Sequence, residues 1–188
     1  MKGIVMNVLP KKFPITIIFV CLLMAGGCAD NHRQENERIY LSGIGSGFSR
    51  SFFEIVVDTY RKNNNAIING VSSDSEMGVR SLREKIIDFV FTDELPDEAS
   101  FPGFEENIIA LPVCKEKTNR LSWVLVYKNQ AYDGRSFEKY RQLKQFLKYI
   151  YSSENQRIIT VLGYVRLPDE IVCEVLTKID SMEWKDER

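Results

Sequence analysis

The sequence predicts an α/β fold, a single domain with a mostly parallel sheet and helices on both faces. Apolar segments of strand length alternate with helical patterns between residues 39 and 92, which is the βαβ arrangement. Polar turns follow each of the first three predicted strands. In open sheets of this type, ligands bind beyond the carboxyl ends of the strands. We therefore expect a binding site where these three turns meet.

The first half of the domain contains three predicted strands, at residues 39–41, 66–71 and 87–92. The polar turns after them lie at residues 43–48, 72–75 and 92–93. Apolar residues at helical spacing predict a helix in each connection. These residues are Phe52, Phe53, Val56, Val57 and Tyr60 in the first, and Met77, Val79, Leu82 and Ile86 in the second.

The second half contains two further predicted strands, at residues 108–113 and 122–127, followed by three helices. The first helix carries an apolar stripe of Tyr140, Leu143, Phe146, Leu147 and Ile150. The second covers residues 155–162 and ends at Gly163, because glycine favours the left-handed conformation after a helix. Pro168 opens the third helix.

The N-terminus predicts export and lipidation. An apolar run at residues 17–24 follows three lysines, and it is shorter than the about 20 residues that span a bilayer. Ala25, Gly26 and Gly27 then precede Cys28, which resembles the lipobox of bacterial lipoproteins. The resemblance implies a signal peptide at 1–27, lipidation of Cys28, a tether at 28–38 and a domain at 39–180. A buried helix or an uncleaved anchor is the alternative.

The expected mature chain has 161 residues, with 22 basic and 26 acidic side chains. This acidic balance argues against a nucleic-acid partner. The only histidine, His32, lies in the tether, so a hydrolase using Ser46 or Ser75 would lack an ordered base. We expect no enzyme activity, no metal and no cofactor. Cys114 and Cys173 could form a disulfide in an oxidising compartment or remain two thiols.

Three motifs at the expected binding edge occur in order: SGIGSGF, VSSDSEMGVRSL and IDFVFTDELPDE. They resemble the phosphate-binding protein of the bacterial phosphate ABC transporter, whose turns read close to G-A-G-(S/A)-T-F, S-G-S-G-A-G and D-F-(G/A)-x-(S/T)-D-x-P-L. The tail LGYVRLPDE resembles the family's closing L-G-Y-V-P-L-P. The resemblance covers residues 39–113 and 121–179, and it implies a periplasmic-binding-protein fold of type II.

The resemblance also implies a function and a set of site residues. The family's proteins close two domains on a dehydrated phosphate. Its binding positions fall on Gly47, Phe48, Ser75 and Asp93, with Asp93 accepting the proton of the phosphate. The implied partners are inorganic phosphate or a similar anion, an ABC permease or another cell-envelope protein, and a membrane through the lipid anchor.

Two departures weaken the expected ligand binding. Only residues 114–120 separate the fourth strand from the fifth, where the family inserts a second domain that supplies an arginine. Asp74 and Glu76 stand where the family has glycines, so they satisfy the helix N-terminus and repel an anion. We expect weak phosphate binding by a reduced solute-binding lipoprotein. The alternative is an interaction or structural lipoprotein that keeps the fold without a ligand.

Cys28→Ser is predicted to abolish lipidation, because the thiol is the acceptor of the acyl chains. Metabolic labelling with a radioactive fatty acid measures this directly. Cys173→Ser serves as the control and should label like the wild type. Equal labelling of the Cys28→Ser variant and the wild type would contradict the assignment.

Overall fold

The computed structural model describes residues 39–185 apart from Ser46 and Asn65. The expected signal peptide, Cys28, His32 and the tether lie outside this part of the chain. The strands are β1 (Tyr40–Gly45), β2 (Ile67–Ser72), β3 (Phe89–Thr92), β4 (Ile108–Lys115), β5 (Leu121–Tyr127) and β6 (Val165–Arg166). The helices are α1 (Arg50–Asn63), α2 (Ser75–Arg83), α3 (Phe104–Asn107), α4 (Phe137–Ile150), α5 (Ser153–Val161) and α6 (Asp169–Asp180).

The six strands form one mixed sheet in the order β2-β1-β3-β5-β4-β6. β1 pairs in parallel with β2 and β3, whereas β5 runs antiparallel to both β3 and β4, and β6 runs antiparallel to β4. The prediction of a mostly parallel sheet is therefore wrong. The connection between β4 and β5 is far shorter than the dozen residues that a parallel crossover needs, so these strands form a hairpin.

Helices cover both faces of the sheet, as the sequence predicted. The larger core lies beneath α1, α4, α5 and α6, and the smaller core lies beneath α2 and α3. β3 serves both cores, because Phe89 and Phe91 belong to the larger one and Val90 belongs to the smaller one. All five residues of the α4 stripe are buried, which confirms that pattern.

The first half of the glycine-rich segment at residues 43–48 belongs to a strand and not to a turn. β1 continues through Gly43 and Gly45, where the sequence had placed a turn that exposes backbone to a ligand. A Cβ on Gly43 would overlap the Phe89 ring, and a Cβ on Gly45 would overlap the Phe53 ring. These two glycines therefore make room for core aromatic rings.

The predicted apolar face of helix α2 is confirmed only in part. Leu82 is buried as predicted and Val79 packs partly buried against the smaller core, whereas Met77 is 54% exposed and Ile86, which lies beyond the end of the helix, is 65% exposed. Gly78 joins Leu82 on the buried face. Gly78 permits this because a Cβ there would press against Val90 and Ile44. The sequence also missed α3 and β6, which are too short for a periodic pattern.

Both cysteines of the domain are free thiols, Cys114 buried and Cys173 exposed. Burial raises the pKa of the Cys114 thiol to about 12, so this thiol is protonated and unreactive at neutral pH. The structure therefore settles the open alternatives in favour of two thiols. Within residues 39–185, no helix has the length and apolarity needed to cross a membrane.

A buried ion pair joins the start of β3 to the loop before α4. Asp88 and Arg135 are only 4% and 2% exposed through their side chains, and their charged groups are in direct contact. Asp88 Oδ2 also accepts the backbone N–H of Ser42 at 2.7 Å, and Lys139 Nζ lies 3.1 Å from Oδ1. Gln130 Oε1 accepts a hydrogen bond from the same guanidinium. This network fixes β1, β3 and the 130–135 loop together.

Arg135→Ala is predicted to lower the free energy of unfolding by about 3–5 kcal/mol, because it leaves the Asp88 carboxylate buried without its main partner. Urea unfolding followed by circular dichroism measures the loss. Arg80→Ala is the matched control, since Arg80 and Glu84 form an exposed pair, and it should cost less than about 1 kcal/mol. Equal losses in the two variants would contradict a structural role for the buried pair.

Candidate functional site

The three predicted turns lie at one edge of the sheet. Gly45, near the end of β1, is paired with Ser72 of β2 on one side and with Phe91 of β3 on the other. Because these strands are parallel and in register, the segments that follow them leave the sheet at the same edge. The structure thus places the segments that contain Gly47, Ser75 and Asp93 at the same end of the three strands.

The turn before α1 is built around Gly47 and Asp93. Gly47 has a φ of +72°, a conformation that side chains rarely adopt, and a Cβ on it would overlap the Asp93 carboxylate. The next residue, Phe48, donates its backbone N–H to Asp93 Oδ2 at 2.8 Å. The carboxylate therefore lies at the N-terminus of α1, where a negative charge is favoured. Three of the four predicted site residues, Gly47, Phe48 and Asp93, are in contact.

Asp93 is electrostatically unusual within this turn. Burial raises the pKa of its carboxyl, while the Phe48 N–H and the positive charge of Arg120 act to lower it. Its second oxygen, Oδ1, is buried, and no group among the described residues donates a hydrogen bond to it. A buried carboxylate oxygen without a donor is costly. The site therefore contains an acceptor that a protonated ligand could satisfy.

Phe48 is held from two sides by residues distant in sequence. Tyr164 donates its hydroxyl to the carbonyl of Phe48, and the two rings lie 5.4 Å apart. The guanidinium carbon of Arg120 lies 5.1 Å from the centre of the Phe48 ring, a cation–π arrangement. Arg120 also pairs with Glu116 at 3.3 Å and keeps half of its side chain exposed. A cation thus stands beside Asp93 and Phe48.

Sequence reasoning missed Arg120 as a site residue. It assigned the family's arginine to the absent second domain, and it treated residues 114–120 only as a shortened connection. In the structure, that connection is a β-hairpin turn closed by the bond from Glu116 N to Arg120 O at 2.8 Å. The hairpin places Arg120 beside the turn before α1. The available signal was a basic residue at the end of the one connection that departs from the family.

A pair of buried hydroxyls closes the floor of this region. Ser49 Oγ lies 2.5 Å from Ser122 Oγ, and both residues are fully buried. Ser49 precedes α1 and Ser122 lies on β5, so this contact ties the start of the helix to the hairpin strand. Ser46, one of the two serines considered and rejected as a nucleophile from the sequence, lies outside the described residues. Among those residues, no group of acidic, histidine or cysteine side chains could hold a metal ion.

Ser75, the fourth predicted site residue, is the first residue of α2 and lies in an adjoining groove. This groove has a volume of about 590 Å³ and is also lined by Arg80, Thr92 and Glu94. Asp74 caps α2 by accepting the Met77 N–H at 2.7 Å, so this acid satisfies the helix N-terminus as the sequence predicted. Thr92 and Glu94 flank Asp93, so the groove that Ser75 lines adjoins the segment that carries this carboxylate.

Comparisons with known proteins show the fold and no more. No protein-family model matches the chain, and no curated protein does either. A solved structure described as a possible phosphate binding protein from Planctomyces limnophilus matches with a TM-score of 0.64 at 7% identity. The match covers 78% of this chain and 99% of that one, so nearly all of the neighbour corresponds to the present domain. The domain therefore shares the fold of that structure.

Two more distant structures also match. ArgP from Mycobacterium tuberculosis gives a TM-score of 0.32 at 18% identity, over 53% of this chain and 32% of that one. A variant of full-length BenM gives 0.42 at 9% identity, over 81% and 75% of the two chains.

Gly47→Ala is predicted to destabilise the domain more than Gly163→Ala. Both glycines have positive φ, so each substitution costs about 1–2 kcal/mol of backbone strain. Only at Gly47 does the new methyl group also overlap a side chain, that of Asp93, which adds about 1–3 kcal/mol. The free energies of unfolding in urea provide the comparison. Equal effects at the two positions would show that the contact between Gly47 and Asp93 does not constrain the turn.

Proposed function

We propose that this chain is an exported, lipid-anchored solute-binding lipoprotein with one binding-protein-like domain, which binds phosphate or a related anion weakly. Its place is the periplasmic or extracellular side of a membrane, with Cys28 carrying the lipid. It acts by binding and not by catalysis, and an ABC permease or another cell-envelope protein is its partner. The support for the anchor is the N-terminal sequence alone.

The observation that carries the ligand proposal is the buried Oδ1 of Asp93, which has no hydrogen-bond donor among the described residues. Its companion Oδ2 is engaged by Phe48 N–H, so the carboxylate is held in place and offers one acceptor. Monohydrogen phosphate carries a hydroxyl that can donate to this oxygen, whereas fully ionised sulfate cannot. The site is therefore suited to a protonated oxyanion.

Arg120 would supply the positive charge that such an anion needs. Its guanidinium already lies beside Phe48, and half of the side chain is accessible. It replaces in part the arginine that the resemblance assigned to a second domain. Glu116 competes for the same guanidinium, and Asp74 and Glu76 add negative charge at the neighbouring helix. These charges favour weak binding, with a dissociation constant no tighter than about the high micromolar range.

The hairpin also supports the type II form of the fold that we propose for this domain. The family chain leaves its first domain after the fourth strand and returns on the strand that follows. Here β4 and β5 are joined directly and lie side by side. A short turn therefore stands at the point where the resemblance places the insertion of a second domain.

A second candidate function rests on the same contacts. The Phe48 N–H is donated to Asp93, and Asp74 caps α2, so the chain itself satisfies donors at both helix starts. A protein that needs no ligand at these positions could keep the fold for interaction with another protein. This is the interaction or structural lipoprotein already considered from the sequence.

Titration calorimetry with phosphate and with sulfate distinguishes the two functions. Weak, phosphate-selective heat is expected from the wild-type chain, and Arg120→Ala should weaken it about tenfold or more through loss of a charge-assisted hydrogen bond. Arg141→Ala is the control, since it removes an equal charge from an exposed position on α4. Replacing Asp74 and Glu76 together by glycine should strengthen binding.

Three outcomes would contradict the proposal. The absence of phosphate binding at millimolar concentration would favour the second function. Submicromolar binding would show that the neighbouring acids and the lost domain have been given too much weight. Equal effects of Arg120→Ala and Arg141→Ala would place the anion elsewhere.

A further inference from the structure

The outer edge of β2 is a strand edge without the usual protection. Among the described residues, β2 pairs only with β1, so its other side is free. Proteins protect such edges with charges, prolines, bulges or very short strands. β6 at the opposite edge has two residues, one of them Arg166. β2 has six residues, and residues 66–73 contain neither a charge nor a proline.

The backbone of β2 presents a defined set of hydrogen-bonding groups to that free side. Ile67 donates its N–H to the carbonyl of Ile39 at 3.0 Å, and Ser73 donates to that of Gly45 at 3.1 Å. Residues of odd number therefore bond towards β1. Because backbone groups alternate in direction along a strand, the N–H and C=O groups of Ile68, Gly70 and Ser72 point outwards.

The side chains beside this edge are apolar or uncharged and are open to solvent. Ile68 packs into the larger core, so Ile67, Asn69 and Val71 lie on the opposite face. Helix α2 on that face contacts β3 and β1 and leaves β2 largely uncovered. Val71 is accordingly 59% exposed, and Asn69 is exposed as well.

We propose that β2 pairs antiparallel with β2 of a second copy of this chain. With a two-fold axis at Asn69, the outward backbone groups of the two strands face each other, and paired side chains lie on the same face of the joined sheet. Ile68 and Gly70 of each copy then form hydrogen-bonded pairs, since their groups point outwards. Ile67 of one copy lies opposite Val71 of the other on the uncovered face, and the two Asn69 side chains meet at the axis. The same edge is thus complementary to itself.

The charges of the neighbouring helix fit this two-fold arrangement. Ser72 Oγ donates to Glu54 Oε1 at 3.0 Å, which places Glu54 beside the end of β2. Arg61 lies about two turns later on α1, towards the beginning of β2, because α1 and β2 run in opposite directions. Antiparallel pairing therefore sets Glu54 of one copy towards Arg61 of the other. The edges of the joined sheet are then the two short β6 strands, so the assembly closes as a dimer.

Cysteine cross-linking of the full chain tests the register. In a background with Cys21, Cys28 and Cys173 replaced by serine, Asn69→Cys should form a disulfide-linked dimer under mild oxidation. Directly opposed residues of a non-hydrogen-bonded antiparallel pair have Cα atoms about 4.5 Å apart, within reach of a disulfide. Val161→Cys in the same background is the control, because that residue is 84% exposed and lies on α5.

Val71→Lys tests the surface without disturbing the fold, since the side chain is largely exposed. Sedimentation equilibrium in a non-ionic detergent should show about tenfold weaker dimerisation for this variant, and Val161→Lys should behave like the wild type. Circular dichroism should be unchanged in both. A monomeric wild type, or cross-linking of Asn69→Cys no faster than of Val161→Cys, would overturn the proposal. Neither result depends on anion binding.

Discussion

Asp88 and Arg135 form the buried ion pair on which the alignment of the central strands depends. The Asp88 carboxylate accepts a hydrogen bond from the backbone N–H of Ser42. The backbone N–H of Asp88 in turn donates to the Ser42 carbonyl at 2.8 Å. These bonds fix β3 against β1 in one register, and a slip by one residue would turn Phe89 and Phe91 out of their core. At the far end of the same strands, that register brings Asp93 to Gly47. The ion pair at one end of these strands thus positions the candidate site at their other end.

The Asp93 carboxylate of the candidate site has an internal partner in the chain, and the proposed function gives it an external one in the ligand. A helix N-terminus favours an anion, and in this chain the anion is the carboxylate of Asp93. Burial opposes that charge, and one carboxylate oxygen has no donor within the part of the chain that the structure describes. The same residue can therefore serve as a structural cap or as an acceptor for a protonated ligand. Which role prevails depends on Arg120 and on the acids around it.

The hairpin between β4 and β5 completes the middle of the sheet. It joins adjacent antiparallel strands directly, so no strand of the sheet is left without its neighbour at this point. It also places Arg120 over the ring of Phe48. The edge of β2 that is free among the described residues lies at the other end of the strand order.

The sequence alone determined those features whose cause is local. The α4 stripe, the stop at Gly163 and the cap at Asp74 each depend on residues within a few positions, and the structure confirms all three. Tertiary structure decided the features that join distant segments. Gly43 and Gly45 were predicted to lie in a turn at the binding edge, but they belong to β1 and lie against the rings of Phe89 and Phe53.

Tertiary structure likewise decided the pairing of Asp88 with Arg135 and the position of Arg120, which depend on contacts across 30 or more residues. It also decided that the sheet is mixed, because that depends on the course of the chain through the sheet. Periodicity reports which face of an element is apolar. It does not report which ring or charge from elsewhere in the chain will cover that face, because this choice is made only when the core packs.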